Sequence, residues 1–448
     1  MRSSLMADSK MGACRRQVSG ALLSLLVVAT VAFLAGCRPA DGLSESRIPQ
    51  DAVSIKTAAS VRPGAAVLLD DPTILVGKRV GVIANHTALV DGVHLVDTLL
   101  SRGIDVTAIF APEHGFRGDA DAGQHIENLR DVRTGVPIFS IYGSQRAPAP
   151  GILDSLDVLL FDIQDVGARF YTYISSMGLS MQAAARSRTP FVVLDRPNPI
   201  GGEYVSGYVR EDGFSSFVGL FPIPIAHGLT VGELATMIVG ENWLDDVGDL
   251  DLTVIRMTGW QRQMLWPDTG LEWVAPSPNL PAFGMTLLYP GTCLVEATAA
   301  SEGRGTATPF ELIGAAWIDN AALVKRLDEK NLPGVAFSAE SFTPVSIPGM
   351  STSPKLLDTP LNGVRIRVTD EHAVLPVETG IVLLTEMHGQ ASESEIPEFI
   401  RNTGMGRLAG TDRLAQMLDA KISADSIVAS WAQEVADFRR KRAPYLLY

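Results

Sequence analysis

Polar residues suited to acid–base chemistry recur directly after short apolar runs of this sequence. The clusters are Asn85-His86, Pro112-Glu113-His114-Gly115, Asp162-Ile163-Gln164-Asp165 and Asp195-Arg196-Pro197-Asn198-Pro199. A carboxylic acid that is kept protonated can give its proton to a leaving oxygen, while a second carboxylate stays ionised. Carboxylates beside a histidine therefore indicate a hydrolase that works by acid–base catalysis.

Glu113 is the strongest candidate for the acid, because the proline before it and the glycine two residues after it favour a tight turn. Its alternative role is structural, as a carboxylate at a helix N-terminus or as the ion-pair partner of Arg117. Asp162 and Asp165 are the next carboxylates, and Asp195 is expected to orient them.

The apolar runs before these clusters predict strands that are buried on both faces. They are Arg79–Ala84, Val106–Phe110, Pro137–Tyr142, Val158–Asp162 and Phe191–Asp195. Helical spacing lies between some of them, at Val93–Arg102 and Tyr173–Arg186. Alternating β and α units predict a doubly wound α/β domain with a parallel sheet, whose site is built at the carboxyl ends of the strands.

Beyond residue 245 the pattern changes, and residues 246–448 predict a smaller α/β or α+β domain. Its predicted strands are Leu252–Met257, Val335–Ser338 and Val364–Val368, and its predicted helices are Phe310–Leu327, Glu378–His388, Thr411–Ala420 and Ala424–Lys441. Residues 275–308 are rich in proline, glycine and polar side chains. We expect this stretch to be a functional loop or part of a cleft between the two domains.

Residues 1–36 have the pattern of a bacterial lipoprotein signal peptide. A basic start precedes the uncharged run Gly20–Ala35, which is shorter than the roughly 20 residues of a membrane-spanning helix. Leu34-Ala35-Gly36-Cys37 resembles a lipobox, so cleavage would leave Cys37 as the lipidated N-terminus. An ordinary signal peptide or an uncleaved anchor is the alternative.

Residues 37–64 are polar and predict a flexible tether, which leaves residues 65–245 for the first domain. These predictions place the folded part in the cell envelope, on the periplasmic side of a membrane that holds the lipid on Cys37. Arg38 favours the outer membrane where the host has two, because an aspartate at this position is associated with retention in the inner membrane.

The composition argues against several other classes of protein. The chain has 37 Lys+Arg against 50 Asp+Glu, a net charge of −13, which disfavours nucleic-acid binding through a basic surface. Three cysteines give neither a disulfide framework nor a paired-cysteine zinc site. There is no G-x-G-x-x-G, Walker or H-E-x-x-H motif. We therefore expect neither a metal nor an organic cofactor.

Five motifs, in order through residues 65–448, resemble those of the NamZ exo-β-N-acetylmuramidases, a glycoside hydrolase family long classed as a domain of unknown function. They are Glu113-His-Gly-Phe-Arg-Gly118, Asp162-Ile-Gln-Asp-Val-Gly-Ala-Arg-Phe-Tyr-Thr-Tyr173, Asp195-Arg-Pro-Asn-Pro199, Ser277-Pro-Asn279 and Tyr289-Pro-Gly-Thr292. The resemblance implies a Rossmann-like domain, a smaller C-terminal domain and a site in the cleft between them. It also implies removal of single N-acetylmuramic acid residues from the non-reducing ends of peptidoglycan glycan chains.

The resemblance implies a set of site residues with Glu113 as the catalytic glutamate. His114, Asp162, Asp165, Arg169, Tyr171 and Asn198 would line the pocket, with Asn85 and Asp195 beside them, and Asn279, Glu296 and Arg304 would face them across the cleft. Arg169 and Arg304 are the candidates to bind the lactyl carboxylate of muramic acid, since a guanidinium fork suits a carboxylate. Each could equally form a structural ion pair.

Several alternatives remain open. Ala297-Thr298-Ala299 stands where the family has Gly-Thr-Asn, and the lost amide could move the preference towards β-N-acetylglucosaminides. A muropeptide-binding lipoprotein without activity is a second alternative, and a serine esterase or amidase is a third, although no G-x-S-x-G elbow is present. The glycosidase mechanism could use the substrate's acetamido group, oriented by Asp162, or an inverting water activated by a carboxylate.

Overall fold

The computed structural model describes residues 61–118, 129–394 and 399–448. The predicted signal peptide, Cys37 and nearly all of the predicted tether lie outside the described residues.

The larger region alternates strands and helices along the chain. Its strands are β1 (Arg79–Ala84), β2 (Leu89–Val90), β3 (Val93–His94), β4 (Asp105–Ala111), β5 (Leu129–Arg130), β6 (Pro137–Ser140), β7 (Val158–Asp162), β8 (Phe191–Leu194) and β9 (Leu252–Ile255). Its helices are α1 (Gly64–Asp70), α2 (Leu95–Ser101), α3 (Pro150–Leu153), α4 (Tyr173–Ser187) and α5 (Val231–Gly240). Short 3-10 turns lie at Pro72–Leu75, Val247–Asp249 and Trp266–Thr269.

Within the described residues, the large sheet has the strand order β5-β6-β4-β1-β7-β8-β9. Its neighbouring strands are parallel except for β5, which is antiparallel to β6. Numbered along the chain without β5 and the β2–β3 hairpin, the parallel strands read 3-2-1-4-5-6, which is the doubly wound Rossmann-like order. The order reverses between β1 and β7, so the crevice that binds ligands in such folds opens at the carboxyl ends of these two strands.

Apolar side chains cover both faces of this sheet, as continuous apolar runs predict. Val80 and Val82 of β1 pack towards α1 and α2 on one face. Ile83, Phe110 and Phe161 belong to the cluster on the other face, which continues through α4 and α5 into the smaller region. Full burial of each such side chain contributes about 1.5–3 kcal/mol, and this holds the carboxyl ends of the strands in register.

The smaller region combines helices with a three-stranded antiparallel sheet of order β10-β12-β11. Its elements are α6 (Phe283–Thr292), a 3-10 turn (Cys293–Ala297), β10 (Leu312–Ala315), α7 (Asn320–Asp328), β11 (Val335–Phe342), β12 (Leu361–Val368), α8 (Pro376–Glu393), α9 (Asn402–Ala409), α10 (Arg413–Asp419), α11 (Ala424–Ala429), α12 (Ala432–Arg442) and a 3-10 turn (Ala443–Tyr445). Helices α6 and α8 touch at two glycines, because a Cβ atom on Gly291 would overlap the carbonyl oxygen of Pro376.

Two predicted helices are wrong in their extent. The stretch Phe310–Leu327 contains β10 followed by α7, and β10 pairs with Asn362–Arg365 of β12. A short apolar run fits either a helix or a strand. Pairing with β12, which lies far along the chain, makes this run a strand. Ala424–Lys441 forms two helices, α11 and α12, rather than one.

Two further segments differ from their predicted setting. The strand predicted at Leu252–Met257 for the smaller domain is β9, which pairs with β8 in the large sheet. The stretch 275–308 is not a continuous loop, since it contains α6. Pro290 and Gly291 lie inside this helix, and these residue types made the composition indicate a loop. No helix in the described part of the chain is both long enough and apolar enough to span a bilayer.

Candidate active site

The turn that carries Glu113 leaves the carboxyl end of β4. The N–H of Gly115 donates to the carbonyl oxygen of Pro112 at 3.2 Å, which closes the turn. His114 and Gly115 both have positive φ, 71° and 76°. Histidine tolerates this left-handed region better than most residues. The reversal leaves the side chain of Glu113 half-buried at the edge of the sheet.

Each carboxylate oxygen of Glu113 accepts a hydrogen bond from a neutral hydroxyl. The Tyr142 hydroxyl donates to Oε1 at 2.9 Å, and the Thr172 hydroxyl donates to Oε2 at 3.0 Å. Thr172 immediately precedes α4, so Glu113 also lies at a helix N-terminus, one of the structural settings that the sequence allows. The Glu113 carboxylate is thus oriented on both sides by uncharged groups.

The ion pair between Glu113 and Arg117 that the sequence allows is not formed. Arg117 instead pairs with Asp97 at 2.9 Å and with Asp131 at 2.8 Å. These two carboxylates fix the loop after the Glu113 turn against α2. They also leave Glu113 without an ion-pair partner among the described residues.

Two tyrosines contact the Glu113 turn, Tyr142 at the side chain of Glu113 and Tyr173 at its backbone carbonyl. Burial, and next to it the charge of Glu113, raises the pKa of Tyr142, so its hydroxyl stays a donor at neutral pH. Burial also raises the pKa of Tyr173. The Tyr173 hydroxyl donates to the carbonyl oxygen of Pro276 at 2.9 Å and lies 3.4 Å from that of Glu113. Tyr173 therefore ties residues 275–279 to the Glu113 turn.

Asp162 is fully buried and engaged by a single cation. Arg196 Nε and Nη2 donate to its two oxygens at 2.6 and 2.9 Å, and the Arg196 side chain is itself buried. This bidentate pair joins the loops after β7 and β8. Because both oxygens are occupied, Asp162 is not placed to orient a substrate acetamido group, contrary to our expectation from sequence.

Asp165 and Asp195 are also buried, and Asp195 is bonded on both oxygens, whereas Oδ1 of Asp165 has no hydrogen-bond partner among the described residues. Asp165 accepts from the N–H of Gly167 at 2.7 Å and lies 3.7 Å from His227. Asp195 accepts from the backbone of Arg196 and Gly232 and from the hydroxyls of Thr230 and Tyr448, the last two at 2.8 Å. Burial raises its pKa to about 7. Asp195 anchors α5 and the C-terminal tyrosine and does not orient the other carboxylates.

Three of the predicted site residues use their side chains to form hydrogen bonds with backbone groups. Arg169 is fully buried, and it donates to the carbonyl oxygens of Tyr208, Ile223 and Leu408 at 2.6–2.8 Å. Burial lowers its pKa to about 9. The Asn198 amide bonds the backbone of Ile200 and Leu229, and the Asn279 amide donates to Met350. Arg169 and Asn198 are therefore not available to a ligand, which corrects the expectation from their motifs.

Asn85, His114 and Tyr171 lie close to the Glu113 turn. The Asn85 side-chain oxygen accepts from the backbone and hydroxyl of Thr87 at 3.0 and 2.6 Å, and its amide lies beside the Tyr173 hydroxyl. His114 is a buried residue of the turn itself. The Tyr171 ring packs edge-on against Tyr173, with 4.9 Å between centroids.

An aromatic path connects this cluster to the smaller region. The Tyr171 ring lies 6.0 Å from Tyr289, which lies 4.9 Å from Phe310, and the guanidinium of Arg304 sits 5.2 Å above the Phe310 ring. Arg304 pairs with Glu296 at 2.8 Å and lies 3.5 Å from Glu302. Glu296 and Arg304 are thus partners of each other.

A cavity of about 280 Å³ lies at the reversal of strand order, and none of residues 112–115 of the Glu113 turn is among its lining residues. Thr87, Gln164, Arg196, Trp266 and Glu272 are among its lining residues. Its volume lies just below the range of about 300–1,000 Å³ that is usual for ligand pockets. No group of three or more His, Cys, Asp or Glu side chains among residues 61–118, 129–394 and 399–448 is placed to hold a metal ion.

Comparison with known families agrees with this arrangement. Two family models, described as the N-terminal and C-terminal parts of the exo-β-N-acetylmuramidase NamZ, match residues 80–284 and 287–448. This chain belongs to the NamZ family. The peptidoglycan β-N-acetylmuramidase NamZ of Bacillus subtilis strain 168 is 42% identical over 398 residues, which cover 87% of this chain and 91% of the relative.

Solved structures share the fold of this NamZ-family chain. Two DUF1343 family proteins from Bacteroides fragilis NCTC 9343 superpose with TM-scores of 0.79 and 0.72, at 34% and 37% sequence identity. Each match covers 87% of this chain and 99% of the other chain. The two NamZ family models meet at the beginning of α6, so β9 falls within the N-terminal part, as it does in the sheet.

Three residues of this NamZ-family site were missed from sequence. Tyr142 ends an apolar run and Thr172 lies inside a quoted motif, yet nothing in either pattern shows that both bond Glu113. Arg196 stands in the Asp-Arg-Pro-Asn-Pro motif, whereas the sequence favours Arg169 and Arg304 as the functional cations. Tyr142 and Thr172 could have been found only by asking which hydroxyls follow the neighbouring strands.

Proposed function

We propose that this chain is an exo-β-N-acetylmuramidase that removes N-acetylmuramic acid from the non-reducing end of peptidoglycan fragments, with Glu113 as the general acid. Membership of the NamZ family supports the reaction and the substrate class. One observation supports the role of Glu113. Glu113 is half-buried and held by neutral hydroxyls, whereas Asp162, Asp165 and Asp195 are buried, Asp162 in an ion pair and Asp195 with bonds to both oxygens.

The geometry around Glu113 suits a group that changes its protonation state. A threonine hydroxyl donates one hydrogen bond and can accept others, so Thr172 can donate to the carboxylate and accept from the carboxylic acid. Tyr142 keeps its proton and donates to the other oxygen. Glu113 can therefore give its proton to the glycosidic oxygen and take one back without a rearrangement of its neighbours.

The acetamido group of the sugar is the favoured nucleophile. Hydrolysis by this route retains the anomeric configuration, and its attack needs no second protein carboxylate as the base. Asp162 is paired with Arg196, so an inverting route would need another carboxylate as its base. Proton NMR of the first sugar released should show the β-anomer of N-acetylmuramic acid. Release of the α-anomer would indicate the inverting route, with a carboxylate other than Asp162 as the base.

The test uses two disaccharides that differ in their non-reducing sugar. The purified protein should release free sugar from N-acetylmuramyl-β-1,4-N-acetylglucosamine and not from N-acetylglucosaminyl-β-1,4-N-acetylmuramic acid. Glu113→Gln should lose this activity, whereas Glu329→Gln, on an exposed residue after α7, should keep it. Cleavage of the second disaccharide instead would support the glucosaminidase alternative. Unchanged cleavage by Glu113→Gln would remove Glu113 from the chemistry.

We also propose that the protein is a lipoprotein anchored through Cys37 in the cell envelope. The basic start, the uncharged run Gly20–Ala35 and the lipobox-like Leu34-Ala35-Gly36-Cys37 support this. The mature wild-type protein should begin at Cys37 and carry the added mass of a lipid there, which mass spectrometry of the protein from the membrane fraction measures. A protein that keeps residues 1–36 would favour an uncleaved anchor.

A further inference from the structure

Selection of muramic acid over glucosamine requires a group that recognises the lactyl carboxylate on O3. This question rests on the proposed function. The two arginines that sequence motifs offered are not free for it. Arg169 is buried against backbone carbonyls, and Arg304 is paired with Glu296 and lies beside Glu302. The recognising cation has to be sought elsewhere around Glu113.

Arg146 lies two aromatic side chains away from Glu113. Its guanidinium carbon sits 4.6 Å above the centroid of the Phe217 ring, and Phe217 lies 6.4 Å from the Tyr142 ring. Tyr142 in turn donates to Glu113 at 2.9 Å. Glu113 is thus connected to Arg146 by two aromatic side chains. The lactyl group and the scissile bond belong to the same pyranose ring. The group that binds the lactyl carboxylate therefore has to lie within about one sugar residue of Glu113.

The guanidinium of Arg146 is open towards solvent. Its Nε donates to the carbonyl oxygen of Gly143 at 3.3 Å, and no carboxylate of the described residues lies within ion-pairing distance of it. The side chain is exposed. The two terminal nitrogens are therefore free to form the paired hydrogen bonds that a guanidinium makes with a carboxylate. Stacking on Phe217 limits the rotamers of Arg146 before any ligand arrives.

The other cations near the site are already engaged. Arg117 is held by two aspartates, and Arg196 is held by Asp162. Lys355 bonds three backbone carbonyls and pairs with Glu302. We propose that Arg146, stacked on Phe217 next to Tyr142, binds the lactyl carboxylate of the terminal N-acetylmuramic acid and so selects muramic acid over glucosamine.

Kinetics of Arg146→Ala on N-acetylmuramyl-β-1,4-N-acetylglucosamine test this proposal. We expect KM to rise about tenfold, a reduced effect for a charge-assisted pair at an exposed position, with kcat nearly unchanged. Inhibition by free N-acetylmuramic acid should weaken by a similar factor, whereas the weaker inhibition by N-acetylglucosamine should not change. Arg146→Lys should recover part of the loss, because the charge remains while the fork is lost.

Arg367→Ala is the matched control, since it removes an exposed arginine from β12 of the smaller region. It should leave both inhibition constants unchanged. An unchanged KM in Arg146→Ala would overturn the proposal. Equal weakening of inhibition by both sugars would also overturn it, because Arg146 would then contribute to sugar binding without recognising the lactyl carboxylate. In either case the wild-type activity would still support the proposed function. A wild type that releases no muramic acid would overturn both.

Discussion

The carboxyl ends of β4 and β7 carry carboxylates of the same kind on the same edge of the sheet, but the structure uses them in opposite ways. At the end of β4, Glu113 is half-buried and held by the hydroxyls of Tyr142 and Thr172. At the end of β7, Asp162 is fully buried and bound on both oxygens by Arg196. One end keeps a carboxylate available to a substrate, and the other uses a carboxylate to join two loops.

The difference is the reason why we propose catalysis at the β4 end, since the ability to change protonation state, rather than residue type, separates the two carboxylates. A carboxylate in a buried ion pair cannot gain a proton without leaving its partner uncompensated. A carboxylate between hydroxyls can gain or lose one, because hydroxyls both donate and accept. The buried pair at the β7 end therefore stabilises the sheet edge that positions Glu113 at the β4 end.

Breaking the buried pair should have the largest effect on stability. Arg196→Met leaves the Asp162 carboxylate buried without a cation, which should lower the free energy of unfolding by about 3–5 kcal/mol. Arg326→Met breaks an exposed pair with Glu393 and should cost less than about 1 kcal/mol. Urea unfolding of both variants gives the comparison. Equal losses would show that the pair at the β7 end is not a structural support.

Removing a hydroxyl from the β4 end should reduce activity instead of stability. Thr172→Val keeps the shape of the side chain and removes one hydrogen bond to Glu113, so kcat should fall by about 10–100-fold with little change in unfolding. Thr385→Val, whose hydroxyl donates within α8, is the control and should keep its kcat. Steady-state kinetics on the muramic acid disaccharide measure both. A wild-type kcat in Thr172→Val would mean that the hydroxyl does not orient the acid.

Asp195, at the end of β8, should make a smaller, pH-dependent contribution. Burial raises its folded-state pKa to about 7 from 3.8, so between these pH values the unfolded chain has released this proton and the folded chain has kept it. The contribution of Asp195 to stability therefore falls as pH rises through this window and is constant above about pH 7.

Asp195→Asn isolates this dependence, because the amide oxygen can accept from the N–H groups of Arg196 and Gly232, while the amide NH2 replaces Oδ2 and the hydroxyls of Thr230 and Tyr448 turn to accept from it. We expect urea unfolding to show that the free energy of unfolding of the variant, relative to that of the wild type, is higher at pH 7.5 than at pH 5. A difference between the two proteins that is the same at both pH values would contradict the raised pKa.

The sequence was sufficient for the features that depend on local pattern. The bounds of β1 and β7 were predicted to the residue, because continuous apolar runs of these lengths suit parallel strands. Glu113 was singled out because a proline and a glycine enclose it. Strand β10 was missed, since its assignment depends on pairing with β12 far along the chain.

The partners of each charged residue could not be predicted in the same way. Arg169 and Arg196 both stand in motifs beside aspartates, yet one meets backbone carbonyls and the other meets Asp162, 34 residues away. The hydroxyl of Thr172 reaches Glu113 across 59 residues. Such pairings follow from the strand order and from the loops that leave the sheet, and no local pattern of residue types contains them.

The dependence of Glu113→Gln on the leaving group tests the central claim most directly. A general acid is needed when the departing oxygen is poorly acidic, as in a sugar, and is hardly needed when it belongs to a strongly acidic phenol. The account predicts a loss of about 10²–10⁴-fold on N-acetylmuramyl-β-1,4-N-acetylglucosamine. It predicts a far smaller loss on 2,4-dinitrophenyl β-N-acetylmuramide. Equal losses on the two substrates would contradict the assignment of Glu113 as the group that protonates the leaving oxygen.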